Sequence, residues 1–250
     1  GTTVGPYVFT PTANSAVINV TDIQFRLLGT GFTAGNVTIN TACASGTQPG
    51  NVTIAAITAA TTSATQNTLT VNAGGSITVN GAINLKAANG AGLTPGDHLS
   101  LNAGTFISVG AFDITTTGGN PTATSIGSNA GNITFTAAEL ISYPGGGKIN
   151  AVGGNAKNSG IGGNGGNLTM NVGTNFDGSS EEWKISGGNG AGTTGGNGGA
   201  ISITGSTGIT IPGKMTAIGG TGTAAGTPGD VSVNDGNAAV TTGGTNDGIS

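Results

Sequence analysis

Short stretches of alternating apolar and polar residues recur along the chain, each directly after a glycine-rich turn. The clearest copies have the pattern Gly, Asn or Asp, apolar, Thr or Ser, apolar, and they lie at 35–39, 50–54, 131–135, 166–170 and 229–233. Looser copies lie at 68–71, 97–101 and 200–203. Because successive side chains of a strand point to opposite faces, each copy predicts a short β-strand with one buried face.

The spacing of these strands predicts a repeating fold. The interval between copies stays near 32 residues once the first two intervals, of 15 and 17 residues, are taken together. Such a period is typical of solenoids and propellers. The period 69–96 contains three strand patterns, at 69–71, 77–79 and 83–85, whereas a propeller blade needs four antiparallel strands. The sequence therefore predicts an all-β chain folded as a parallel β-helix, or β-solenoid, with three short strands per coil.

Stacked coils place equivalent residues in columns, about 4.8 Å apart from coil to coil. The predicted inward column consists of the first apolar residue of each copy: Val37, Val52, Leu69, Leu99, Ile133, Leu168, Ile201 and Val231. The next residues form a predicted outward ladder of hydroxyl side chains: Thr38, Thr53, Thr70, Ser100, Thr134, Thr169, Ser202 and Ser232. A flat row of threonines raises ice binding as a hypothesis, but the neighbouring outward column is mostly asparagine.

Between the third strand and the next coil lies a loop that becomes dense in glycine, at 153–166, 187–199 and 219–229. Glycine and asparagine tolerate tight turns. Because these loops recur in register with the predicted core, we expect them to stack into a ridge rather than to act as flexible linkers. The solenoid is predicted to span 35–234, and 235–250 is predicted to be a tail or an incomplete coil.

The N-terminal segment 1–34 lacks the repeat and is predicted to be a cap or an arm that contacts a neighbouring subunit. Its stretch 16–27 alternates like a strand, with Ile23, Phe25 and Leu27 on one face. Solenoid ends expose apolar core and unpaired backbone unless they are covered. The candidate assembly residues are therefore apolar side chains of the two end segments: Val4, Tyr7, Phe9, Ile18, Val20, Ile23, Phe25, Val231 and Val233.

Composition supports a folded repeat and excludes several classes of protein. The 250 residues include 51 glycines, yet 35% are hydrophobic and the net charge is only −4, unlike a disordered chain. Six scattered basic residues argue against nucleic-acid binding, and no apolar run approaches the roughly 20 residues that cross a bilayer. Cys43 is the single cysteine, and we expect it to be a small buried side chain rather than an intermolecular disulfide partner.

The repeats resemble those of filamentous-haemagglutinin-type exoproteins and similar bacterial surface adhesins. The resemblance covers about 35–234 and rests on Gly-Asn-Ile/Leu-Thr-Ile/Met, a following Gly-Ile-Thr-Val, and Gly-Gly-Asn-Gly loops. It implies a right-handed parallel β-helix, secretion from a bacterial cell, and a role in adhesion or surface assembly.

Candidate chemistry is sparse. The acidic cluster is 177–184, where Glu181 and Glu182 beside Trp183 could bind sugar or Ca²⁺, although a solvated loop whose tryptophan caps the core is the favoured interpretation. His98 has no nucleophile in a recognisable motif and is expected at the surface. Five Asn-x-Thr sequons, four of them in the repeat, are attributed to the fold rather than to glycosylation. We predict no enzyme activity, no cofactor and no metal ion.

These observations predict a secreted structural subunit that stacks end to end with copies of itself into an extracellular filament or surface fibre. The alternative is a monomeric adhesin module that binds glycans or surfaces through the glycine-rich loops. Ice binding and a polysaccharide-active enzyme, with its best site at Glu181 and Glu182, rank behind both.

Overall fold

The structure is a computed structural model of the chain. It describes residues 5–12, 16–31, 33–41, 50–90, 93–122, 126–143, 145–178, 182–211, 214–236 and the backbone of 240–242. Val4, Cys43 and Glu181, which the sequence analysis named, lie outside the described residues.

Short strands and one short helix make up the described secondary structure. In chain order the elements are β1 (Tyr7–Phe9), α1 (Val20–Leu28), β2 (Val37–Asn40), β3 (Val52–Ile54), β4 (Ile57–Thr58), β5 (Thr68–Ala73), β6 (Ile77–Val79), β7 (Ile83–Asn84), β8 (His98–Ala103), β9 (Ile107–Val109), β10 (Ile114–Thr115), β11 (Ile133–Ala137), β12 (Leu140–Ser142), β13 (Lys148–Asn150), β14 (Leu168–Val172), β15 (Asn175–Asp177), β16 (Glu182–Lys184), β17 (Ile201–Thr204), β18 (Ile209–Ile211), β19 (Lys214–Thr216), β20 (Val231–Asn234) and β21 (Val240–Thr242).

The strands form three parallel sheets that run the length of the molecule. The first sheet has the order β1-β2-β5-β8-β11-β14-β17-β20, the second β3-β6-β9-β12-β15-β18-β21, and the third β4-β7-β10-β13-β16-β19. Six successive coils, from β2–β4 to β17–β19, each contribute one strand to every sheet. The predicted β-solenoid with about 32 residues per coil is confirmed.

Alternation along each strand builds the core. In the first sheet Val37, Leu69, Leu99, Ile133 and Leu168 stand directly over one another and are essentially inaccessible to solvent. Burial of such a side chain stabilises the fold by roughly 1.5–3 kcal/mol. Each coil is too thin to bury an apolar face by itself, so the core exists only because the coils stack.

One member of the predicted columns belongs elsewhere. Val52 pairs with Ile77, and Thr53 pairs with Thr78, in the second sheet. Thr53 is therefore wrong as a member of the outward ladder, which in the first sheet passes from Thr38 directly to Thr70. The motif Gly-Asn-apolar-Thr encodes a corner followed by a strand, and both the first and the second sheet contain such corners.

The stretch 16–27 also departs from its prediction, because its second half is the helix α1 and not a strand. Asn19 caps the helix by accepting a hydrogen bond at Oδ1 from the Thr21 N–H at 2.9 Å. Gly29 closes it in the left-handed conformation, with φ 76°. Ile23 and Leu27, four residues apart, share the buried face, whereas Phe25 points away and is 40% exposed.

Within 177–184 the described residues correct the prediction of a solvated loop, because Asp177 ends β15 and Glu182–Lys184 form β16. Trp183 is fully buried between Ile149 and Met215 of the neighbouring coils in the third sheet. Its ring meets Phe176 and Tyr143 edge to face, with centroids 5.6 and 6.3 Å away. The tryptophan is thus part of the continuous core and does not cap it.

The glycine-rich loops stack into a second, side-chain-poor layer that we call the glycine ridge (residues 118–122, 126–131, 153–166, 187–199 and 219–229). Within each coil an outgoing limb meets a returning limb: the Gly163 N–H donates to Gly154 O at 2.9 Å, and the Gly196 N–H to Gly188 O at 2.8 Å. Between coils the Gly188 N–H donates to Gly163 O at 2.8 Å. The ridge is therefore a hydrogen-bonded structure in its own right.

Candidate assembly surfaces at the two ends

Among the described residues, two strands of the first coil have a neighbour on one side only. The strand β3 ends the second sheet and β4 ends the third, whereas the first sheet continues for one more strand, β1. Alternate residues of a parallel strand bond to opposite neighbours. The Val52 N–H donates to Ser76 O just before β6, and Ile54 O accepts from the Asn80 N–H just after it. The N–H and C=O of Thr53 therefore face the free edge.

An apolar groove opens beside this free edge. It has a volume of about 1010 Å³ and runs between the segments 8–12 and 16–20 and the interior face of the first coil. Its lining includes Phe9, Ile18, Val20, Ile39 and Ile54, together with Thr53. An unpaired strand edge next to an apolar groove is the arrangement that accepts an added strand.

The elements around the groove are held in place by specific contacts. The Arg26 guanidinium of α1 lies 4.9 Å from the ring centroid of Tyr7 and 5.2 Å from that of Phe9. The Tyr7 hydroxyl donates to Thr33 O at 2.7 Å, and the Gln24 amide of α1 donates to Thr58 O of β4 at 2.6 Å. The helix and β1 therefore form one unit that is anchored to the first coil.

The structure divides the predicted assembly residues of this end into two groups. Tyr7 and Ile23 are buried within the subunit, so they support its own fold. The others retain accessible surface: Phe9, Ile18, Val20 and Phe25. Sequence reasoning missed Val8 and Val17, which are 62% and 92% exposed.

The C-terminal coil presents a different surface. Val231 and Val233 of β20 are half-buried, although their counterparts in the preceding coil, Ile201 and Ile203, are almost fully buried. Within the described part of the chain β20 pairs only with β17. The last apolar side chains of the inward column are therefore partly exposed to solvent at this end.

The outward ladder lies on the solvent face of the first sheet, where Thr70, Ser100, Thr134 and Thr169 are adjacent rungs. Turn residues beside it link the coils through side chains. Asn132 Oδ1 accepts from the Asn167 N–H at 2.8 Å, and His98 Nδ1 accepts from the Asn132 N–H at 2.8 Å. His98 thus occupies an asparagine position of the repeat, and partial burial lowers its imidazole pKa. Its partners give it a structural role.

The remaining candidates for chemistry are dispersed. Glu182 pairs with Lys214, whose Nζ lies 3.3 Å away, and the side chains of Lys214 and Glu182 are 50% and 32% exposed. Among the described residues no three His, Cys, Asp or Glu side chains are close enough together to hold a metal ion. No helix in the described segments is long and apolar enough to cross a membrane.

One carboxyl group is buried in the core. Asp97 accepts a hydrogen bond at Oδ1 from the Asn67 N–H at 2.8 Å, whereas its buried Oδ2 has no hydrogen-bond partner. Burial raises the pKa of this carboxyl from 3.8 to about 7, although the Asn67 hydrogen bond acts in the opposite direction. The charge of Asp97 therefore changes near neutral pH.

Comparisons with known proteins give no further assignment. No family model matches the chain, and neither a curated protein nor a solved structure matches it.

Proposed function

We propose that the protein is a structural subunit that stacks end to end into an extracellular filament. The observation that carries this proposal is the free edge of β3 beside an apolar groove at one end of the solenoid. At the opposite end, the half-buried Val231 and Val233 supply apolar surface on β20, the last strand of the first parallel sheet. Joining the two ends would bury both surfaces.

Geometry favours an open polymer over a closed ring or dimer. The two surfaces differ, so their contact is head to tail, and repeated head-to-tail contacts along one axis generate a fibre. The subunit's own strands already stack along that axis. Addition of another subunit would continue the same parallel pairing.

The extracellular location rests on the resemblance of the repeats to filamentous-haemagglutinin-type exoproteins. The chain shares with them the repeated Gly-Asn-apolar-Thr-apolar corner and the glycine-rich loop. Labelling of intact source cells with an antibody against the protein tests this part, because an internal protein stays unlabelled until the cells are permeabilised.

At the N-terminal end, Thr53→Pro is expected to abolish fibre formation. Proline removes the N–H that faces the free edge, while the bonds of Val52 and Ile54 to β6 remain. Thr53→Val keeps that N–H and serves as the matched control. Fibre length is measured by electron microscopy and the assembled fraction by sedimentation. Circular dichroism establishes that both variants are folded.

At the C-terminal end, Val233→Lys is expected to reduce the assembled fraction at least tenfold, because it places a charge in the contact. Ser232→Lys adds the same charge on the adjacent outward-facing position and is expected to assemble normally. The unmodified protein remaining monodisperse at high concentration would refute end-to-end stacking. Equal assembly by all four variants would exclude these two surfaces from the contact.

A further inference from the structure

A second groove runs along the concave corner between the third sheet and the glycine ridge. Its volume is about 440 Å³, and it crosses three successive coils. One wall consists of three asparagines, Asn89, Asn120 and Asn155. The floor includes Thr117 and Val152, and the exposed Lys86 lies at one side. The groove involves none of the proposed assembly residues.

The asparagine wall is a row of hydrogen-bond donors with fixed orientation. Asn89 Oδ1 accepts from the Asn120 N–H at 2.9 Å, Asn120 Oδ1 from the Asn155 N–H at 2.7 Å, and Asn155 Oδ1 from the Asn189 N–H at 2.8 Å. Each amide therefore uses its oxygen for the fold. The described residues offer no acceptor to the Nδ2 groups, which stand on exposed side chains.

The donor row repeats with the coil spacing of about 4.8 Å along the solenoid axis. A ligand that satisfies it must carry oxygen acceptors at regular intervals along an extended chain. The lining residues include the exposed Lys86 and no Asp or Glu, so their charge favours an anionic ligand. The groove lacks aromatic side chains and a basic cluster, which single-stranded nucleic acids require.

We propose that this groove binds an acidic polysaccharide, a linear chain of uronic-acid units that lies parallel to the solenoid axis. The asparagine Nδ2 groups donate to hydroxyl and carboxylate oxygens of successive sugars, and Lys86 pairs with one carboxylate. This binding is independent of polymerisation, because a single subunit contains the whole groove.

The test uses size-defined polygalacturonate oligomers and isothermal titration calorimetry. Asn120→Asp keeps the oxygen that accepts from the Asn155 N–H, but it replaces the donor with a second, charged oxygen. We expect at least tenfold weaker binding. Lys86→Gln is expected to weaken binding and to reduce its dependence on salt.

The control is Asn164→Asp, in a parallel asparagine row on the returning limb of the ridge. Asn164 Oδ1 likewise accepts from the Asn197 N–H, at 2.9 Å, and the residue is exposed outside the groove. It is expected to bind as the unmodified protein does. Equal weakening by Asn120→Asp and Asn164→Asp, equal affinity for neutral dextran oligomers, or absence of binding to polygalacturonate would each overturn the proposal. Circular dichroism checks that every variant keeps the fold.

Discussion

Replacing Gly163 with alanine is expected to destabilise the solenoid by about 3 kcal/mol or more. A Cβ atom at this position would lie 2.0 Å from Ser128 O and 2.4 Å from Ser128 C, which are backbone atoms of the preceding coil. The limbs of the ridge would have to separate. That separation would break the bonds that Gly163 makes to Gly154 and Gly188. The measurement is the midpoint of thermal unfolding by far-ultraviolet circular dichroism.

A glycine at the margin of the same layer provides the control. A Cβ atom at Gly90 meets nothing within 4 Å, and its φ angle lies outside the left-handed region. Gly90→Ala is therefore expected to leave the midpoint unchanged or to raise it slightly, because alanine restricts the unfolded chain. Similar midpoints for the two variants would contradict close packing of the ridge.

The solenoid is also expected to lose stability as the pH rises from about 4 to 7, because the Asp97 carboxyl ionises readily in the unfolded chain but stays protonated in the core. The pKa of its carboxyl is about 7 in the folded protein and 3.8 ordinarily, so between these values the folded state holds a proton that the unfolded state has released. At roughly 1.4 kcal/mol per pH unit, the loss approaches about 4 kcal/mol in total. Below pH 4 and above pH 7 this contribution is constant.

Asp97→Asn isolates this effect. The asparagine amide does not ionise, and its oxygen can still accept the hydrogen bond from the Asn67 N–H. Its stability relative to the unmodified protein should therefore increase from pH 4 to pH 7, as measured by urea unfolding. His98 acts in the opposite direction: burial lowers the pKa of its imidazole, so the folded protein loses stability as the pH falls and this group becomes protonated. Both proteins contain His98, so the difference between their free energies of unfolding is the quantity to measure. A difference that is independent of pH would show that Asp97 is not the titrating group.

The period of the solenoid and its three strands per coil could be predicted from the sequence, because alternation and turn residues are local signals. Sheet membership is a different matter. The predicted inward column contains both Val37 and Val52, whereas these residues belong to two different strands and sheets of one coil. Nothing in the motif distinguishes a corner that precedes the first sheet from a corner that precedes the second.

The helix α1 was missed although its signals are present. Asn19 and Gly29 occupy the two capping positions, and Ile23 and Leu27 have helical spacing. The alternation of Ile23, Phe25 and Leu27 competes with these signals over so short a segment. The asparagine groove could not be predicted, because it depends on how the ridge is placed against the third sheet, and that placement is set by backbone hydrogen bonds.

The glycine ridge also affects how the molecule carries mechanical load. Bonds between coils run along the long axis, so tension applied along that axis acts on all bonds of one layer together. Between the fifth and sixth coils the three sheets are joined by β14–β17, β15–β18 and β16–β19. The ridge adds the Gly187 N–H to Ile218 O and the Gly198 N–H to Thr227 O, at 2.9 and 2.8 Å. Each such layer therefore gains tensile strength without a larger apolar core.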